Sequence, residues 1–334
     1  MAITISGSGI TSANIADGTI TTDDILASDV KNLKSGRKNL IINGGFDVWQ
    51  RGTSFTAGSS YTADRWLTDS VGSHTRVTDA PSGFAYSLKL NPTSGNAVVR
   101  QAIELPSAGI GGVFESGQQF TLSFWLKSSV DSESINLYIA SSNGVTGTTT
   151  QMVSSIGIAT TTTGWVKYTY TYTQPSAVGA SDICYNIVLY VTTPTGDIYF
   201  TGIQLELGSV ATDFEHRSYG EELALCQRYY QKSYSQGYYA GNAVPYGSIR
   251  GWGNGTVISG AYARFPSEMR SQPSVTLYDL GGSVGKMTKL SGGGVQSNGI
   301  APNQIVSSAS GISSRLYTGD CYETVFHYTA DAEL

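Results

Sequence analysis

Residues 120–127 read Phe-Thr-Leu-Ser-Phe-Trp-Leu-Lys. Phe120, Leu122, Phe124 and Leu126 alternate with Thr121, Ser123, Trp125 and Lys127. A period of two puts the first set on one face of a β-strand and the second on the other, so only one face meets a core. Outward from this stretch the beat repeats. Ile135, Leu137 and Ile139 follow it. Val166, Tyr168, Tyr170 and Tyr172 lie opposite Trp165, Lys167, Thr169 and Thr171. Ile183, Tyr185, Ile187, Leu189 and Val191 share a face, and Ile203, Leu205 and Leu207 close the series. Glycine, proline, serine and asparagine bound each run. Short alternating strands between turns predict an antiparallel β-sandwich or jelly roll over residues 39–217.

Composition agrees. The chain has 334 residues, enough for two domains and an extra segment. Charged residues make up 13%, about half the roughly 25% of an ordinary soluble domain. Its 40 glycines and 21 tyrosines suit turns and strands better than helices. The formal charge of −5 and the lack of a basic stripe argue against nucleic acid as a partner. The longest apolar runs, such as Leu40-Ile41-Ile42, are too short to span a membrane. No basic and apolar leader opens the chain, which reads as no signal peptide and fits a particle assembled in the cytoplasm. Cys184, Cys226 and Cys321 are too few and too widely spaced for a disulfide framework and read as small buried apolar residues.

Residues 1–38 follow a different rule. Ile5, Ile10, Ile15, Ile20, Ile25 and Val30 fall five residues apart, a period of neither helix nor strand. The rhythm resembles pentapeptide repeats, and five intervals are too few to bury a core alone. The segment therefore reads as extended or solenoid-like, for attachment or oligomerisation, against the alternative of a polar leader. Lys31–Lys38 reads as a solvated linker.

A connector over 218–232 is predicted to be helical. Ser218 is placed to cap it with Glu221 three residues on, acidic residues come early, and Leu223, Cys226 and Tyr230 fall on one face. Residues 233–334 return to short strands as a second, smaller β-sandwich. A strand, a turn with two prolines and another strand are read in 255–279, and a last strand runs into the acidic end Asp331-Ala332-Glu333-Leu334.

The ordered set Asn39–Gly52, Tyr61–Trp66, Phe120–Lys127 and Ile198–Gly208 resembles the carbohydrate-binding-module-like jelly rolls of phage tail fibres and related virion proteins. Glu221–Lys232 resembles the junction that follows the jelly roll in those proteins, and Arg264–Val275 with the chain end resembles their distal domain. The resemblance implies a homotrimer joined to other virion proteins through its N-terminal segment and binding host surface polysaccharide. It also implies carboxylates near the first and last strands, sometimes around a structural calcium; here these are Asp47, Asp64 and Glu206. No other cofactor is expected.

Sugars are gripped by aromatic rings against their apolar faces and by polar groups at their hydroxyls. Trp125, Tyr138 and Tyr190 are out of phase with their apolar neighbours and are expected to line one outer sheet face. Trp252, Tyr262 and Tyr317 are candidates at the distal tip, whereas Trp49 and Trp66, beside Arg51 and Arg65, read as core anchors. No serine elbow, histidine constellation or Walker loop appears. A glycosidase needs two carboxylates about 5–10 Å apart, for which Asp197 and Glu206 are the candidate pair. The reading is a non-enzymatic phage tail fibre. The competitors are a capsid or tail decoration protein, a polysaccharide-cleaving tailspike and a secreted sugar-binding protein.

Overall fold

The computed structural model describes residues 38–334 except 57, 106–113, 144–148, 180, 253–260, 292–293, 303 and 316–322. The five-residue repeat from Ile5 to Val30, Tyr317 and Cys321 therefore lie outside the described residues. Asn39–Leu334 forms one compact unit.

The first part of that unit holds ten strands. These are β1 (Ser54–Phe55), β2 (Gly58–Tyr61), β3 (Leu67–Val77), β4 (Ser87–Glu104), β5 (Gln119–Ser128), β6 (Ser134–Ser142), β7 (Thr149–Thr160), β8 (Val166–Thr173), β9 (Cys184–Val191) and β10 (Ile198–Leu207). All pairings are antiparallel. Strand β4 is long enough to serve two layers. Its first part pairs with β10 (Leu88↔Phe200, Leu90↔Ile198), and its second part pairs with β9 (Ala97↔Val191 through Glu104↔Cys184). Strand β3 pairs with it from Ser87 to Arg100, with register shifts around Val71 and Gly72. Gly72 has φ +145°, and a Cβ there would run into the Asn91 carbonyl, so the shared bend needs glycine. The path β7-β6-β9-β4-β10-β5-β8 thus folds over into a jelly-roll sandwich.

The alternation fills the gap between layers. Phe120, Leu122, Phe124 and Leu126 are fully buried against Ile135, Leu137 and Leu189 of the other layer in one core. Tyr172 and Tyr185 join the layers through their hydroxyls, 2.9 Å apart. Each buried side chain of this size contributes about 1.5–3 kcal/mol.

Residues 39–66 close one end. Asn43, at φ +57°, donates to the carbonyls of Val48 (2.8 Å) and Asp64 (3.0 Å) and accepts from the Val48 amide (3.0 Å). Trp66 donates to the Asn43 carbonyl at 2.8 Å and Trp49 to that of Phe46 at 2.6 Å. Both indoles are buried, as core anchors should be.

The connector begins as read but is shorter. Helix α1 (Tyr219–Gln227) is capped by Ser218, whose hydroxyl accepts from the Glu221 amide at 3.3 Å. It stops at Arg228, whose side chain reaches Glu104 instead of extending the helix. Tyr230 belongs to β11 (Tyr230–Lys232), so the helical reading of 228–232 is corrected. Pairing with the last strand outweighs a further turn of helix. The buried side of α1 carries Cys226 and, unexpectedly, Glu222, which accepts from the Asn43 amide and from Arg217.

The second part is a smaller sandwich. It comprises β11, β12 (Ile249–Trp252), β13 (Ala261–Arg264), β14 (Ser274–Tyr278), β15 (Met287–Ser291), β16 (Gly294–Ile300), β17 (Gln304–Ser308), β18 (Gly311–Arg315) and β19 (Glu323–Asp331). Strand β19 is central, paired with β11, β12, β14 and β15, and buried along both faces. A three-stranded sheet, β13-β18-β17, covers it around Phe265, Ile312 and Phe326. The acidic end does not float. Asp331 and Glu333 meet Arg51, Glu333 also meets Arg65, and both arginines belong to the first sandwich. Among the described residues no helix is long and apolar enough to cross a membrane.

Candidate functional site

The expectation of one aromatic face fails on topology. Trp125 lies on β5, on the outer face of the layer β4-β10-β5-β8, whereas Tyr138 on β6 and Tyr190 on β9 lie on the outer face of the opposite layer. Phase along each strand was right, but phase cannot say which layer a strand joins. Tyr138 sits across from Val188 and Tyr190 across from Asn136, so the two rings are diagonal neighbours on one surface. The Tyr190 hydroxyl bonds Ser155.

Trp125 is half-buried for a packing reason. Gly202 has φ +60° at the register shift between Thr201 and Gln204, and a Cβ there would meet Phe84 and Trp125. The missing side chain is the space in which these two rings rest.

Next to Trp125, one registered row crosses the same layer. Lys127 of β5 pairs with Tyr199 of β10, and Tyr199 with Lys89 of β4. Trp165 immediately precedes β8, whose Val166 faces Leu126. The row therefore reads Trp165–Lys127–Tyr199–Lys89. The Trp165 and Tyr199 rings meet edge to face, 6.3 Å apart at 74°. The ammonium of Lys127 lies 5.2 Å from the centre of the Tyr199 ring and that of Lys89 lies 5.6 Å from it. Asp79 binds Lys127 and accepts from the Trp165 indole at 3.0 Å. Asp197 pairs with Lys89 at 2.7 Å and accepts from Asn91. The hydrogen bond from Lys127 holds Asp79 below the usual carboxylate range, and the one Lys89 donates to Asp197 raises Lys89. Against the opposing effect of burial, Asp197 is likewise held low by its hydrogen bonds from Lys89 and Asn91, so both carboxylates and Lys89 are charged at neutral pH. The row thus offers two half-exposed rings flanked by fixed donors and acceptors, the arrangement that takes an apolar sugar face and its rim of hydroxyls.

Trp165 and Tyr199 were not singled out in the sequence. The signal for Trp165 was available, since it shares the outward phase of Lys167. Tyr199 needed the pairing of β10 between β4 and β5, which no local pattern reveals. In the second sandwich Trp252 and Tyr262 are both 63% exposed, on β12 and β13 of different sheets.

The carboxylates proposed for a calcium do not converge. Asp64 is buried against Gln50 (2.7 Å) and Arg51 (3.5 Å), and Glu206 holds the amide and hydroxyl of Thr212. Asp47 lines a separate cleft. Among the described residues no group of three or more His, Cys, Asp and Glu is placed to hold a metal ion. Asp197 and Glu206 lie at opposite ends of β10, nine residues and roughly 30 Å apart along the strand, far beyond a glycosidase pair. His74 is enclosed by Thr68 and Ser70, and burial lowers its pKa. His327 stacks on Tyr234 with ring centres 3.8 Å apart.

No family model matches the chain, and no curated protein matches it. Solved structures do show similarity. One is the enzymatically active domain of tailspike protein 4 from bacteriophage CBA120: 20% identity, 51% of this chain, 21% of that chain, TM-score 0.33. Another is a family 16 carbohydrate-binding module: 20% identity, 40% of this chain, 84% of that chain, TM-score 0.27. A third is the CBM22-1 xylan-binding domain of Xyn10C from Paenibacillus barcinonensis: 14% identity, 48% of this chain, 94% of that chain, TM-score 0.30. The chain thus spans about a fifth of the tailspike chain it resembles.

Proposed function

We propose that this chain is a non-enzymatic glycan-binding component of a phage particle, acting as a tail fibre that attaches to bacterial surface polysaccharide. The observation that carries the binding role is the row Trp165–Lys127–Tyr199–Lys89, with its two rings 6.3 Å apart and its lysines and carboxylates mutually fixed. Groups held in place before a sugar arrives lose little entropy when it binds. The phage assignment rests on the resemblance of the ordered sequence segments and on module order: a repetitive N-terminal segment, a jelly roll, a short helix and a second β unit. In this reading three copies act together, and avidity turns weak contacts into firm attachment.

The test is binding of the purified chain to host surface polysaccharide by calorimetry. Trp165→Ala and Tyr199→Ala are each expected to weaken binding about tenfold or more while leaving the melting temperature nearly unchanged. Unaltered binding in both variants would sink the assignment of the row. Release of oligosaccharide products during incubation would overturn the non-enzymatic reading.

A further inference from the structure

A cleft of about 540 Å³ opens where residues 47–50, helix α1 and the segment 232–239 meet. Its size is that of a small-ligand site. Nothing in the outer-face row touches it. Its charges are uneven. Arg217 is spoken for by Glu215 and Glu222. Of the remaining charged lining residues, Arg76 and Lys232 are positive and Asp47 is negative. Neither Arg76 nor Lys232 makes an ion pair among the described residues. Each lies instead against a ring: Arg76 4.4 Å from the centre of Tyr86, Lys232 4.7 Å from that of Tyr239. The ammonium of Lys232 has otherwise only the Tyr238 carbonyl. The Asp47 carboxyl is partly buried, and burial raises its pKa, yet it accepts no hydrogen bond from the described residues. Tyr219, 46% exposed at the start of α1, stands within electrostatic reach of both Arg76 and Tyr239 and so links the two ends.

We infer that this cleft is a second carbohydrate subsite, selective for a sugar that carries a carboxylate. Lys232 receives the carboxylate, Asp47 and Arg76 take hydroxyls, and the rings of Tyr86, Tyr219 and Tyr239 cover the apolar edges of the pyranose. A carboxylate would supply the ion-pair partner that the Lys232 ammonium lacks among the described residues. A neutral sugar would leave the partly desolvated ammonium of Lys232 without a counter-charge.

The experiment compares methyl glucuronide and methyl galacturonide with methyl glucoside and methyl galactoside, each titrated into the full chain and followed by ligand-observed NMR. At least one uronide is expected to bind about tenfold or more tightly than its neutral counterpart. Lys232→Met should abolish that preference, and Tyr219→Ala, at an exposed position that leaves the fold intact, should weaken both kinds of sugar. The double variant Trp165→Ala/Tyr199→Ala should bind the uronide as the parent does, which separates this subsite from the outer-face row. Equal affinity for charged and neutral sugars, no binding of any of the four, or a preference that survives Lys232→Met in a folded protein would overturn the inference.

Discussion

The guanidinium of Arg65 lies 3.5 Å from the centre of the Tyr229 ring and pairs through Nη1 with Glu333, the penultimate residue of the chain. Arg65 is 1% exposed and its partner carboxylate 5%, so the pair joins the jelly roll to the end of β19 out of reach of water. Beside it Arg51 lies 3.7 Å from the centre of the Tyr230 ring and meets Asp64, Asp331 and Glu333. Two arginines from one sandwich thus sit on two consecutive tyrosines that lead into the other. The two β units consequently belong to one compact body.

Removing one partner of this pair leaves the other as an uncompensated buried charge. Arg65→Met is expected to cost about 3–5 kcal/mol in chemical denaturation. The double variant Arg65→Met/Glu333→Leu should cost clearly less than the sum of the single changes, because it removes both charges at once. Additive losses would show that the two residues do not act as a pair.

Two adjacent glycines should respond unequally. A Cβ on Gly44 would collide with the Ile203 carbonyl, a backbone atom of β10, whereas one on Gly45 meets side chains alone, the Asp47 carboxylate at 3.0 Å and the Phe214 ring at 3.8 Å. The Gly44 amide group is also in use, since its carbonyl accepts from the Ile203 amide at 3.0 Å. Gly44→Ala must displace a strand and is expected to cost about 2 kcal/mol or more. Gly45→Ala should stay within about 1 kcal/mol. Equal melting temperatures for the two variants would contradict the close approach.

These residues show what could be read in the sequence and what could not. The period of two identified β5, β6, β9 and β10, the serine and glutamate spacing identified the start of α1, and the tryptophans of 39–66 read correctly as anchors. Each is a local pattern set by geometry within one element. The layer a strand joins is decided by partners up to about a hundred residues away, as when β10 inserts between β4 and β5. Trp125 was therefore separated from Tyr138, and Tyr199 stayed invisible. Asp64, read as a metal ligand, is held by Arg51 and Gln50. A carboxylate in sequence does not reveal whether a cation or an arginine satisfies it. Helix α1 ended early for the same reason, because β19 claims Tyr230 by pairing it with Asp331, 101 residues further on.

Glu222 offers a test of a buried carboxylate inside a helix. It accepts from the Asn43 amide and from Arg217, which ties α1 to the turn at Asn43–Phe46. Glu222→Ala would strand both donors and is expected to cost about 2–4 kcal/mol in thermal or denaturant unfolding. Glu222→Gln keeps one acceptor for the amide and should recover about half of that loss. If the two variants melt together, the charge contributes nothing and the contact is one of shape alone.

Lys232 carries a pH signature that can be checked without any sugar. Burial pushes its ammonium down to about 8 from the usual 10.5, opposed only by the more distant Asp64. Between these values the unfolded chain holds more protons at this site than the folded one, so its contribution to stability becomes more favourable as pH rises from about 8 to about 10.5. Below about 8 both states are protonated and the cost of the buried charge is constant. Tyrosines titrate in the same range, so the measurement is a difference between parent and Lys232→Met at each pH. Relative to the parent, the variant should be at its best at pH 7 and should lose that advantage steadily by pH 10. The change is on the order of 1 kcal/mol or less, because solvent still reaches the ammonium. A difference independent of pH would mean that Lys232 is hydrated like a surface lysine, and the counter-charge it is expected to take from an acidic sugar would then have little to offset.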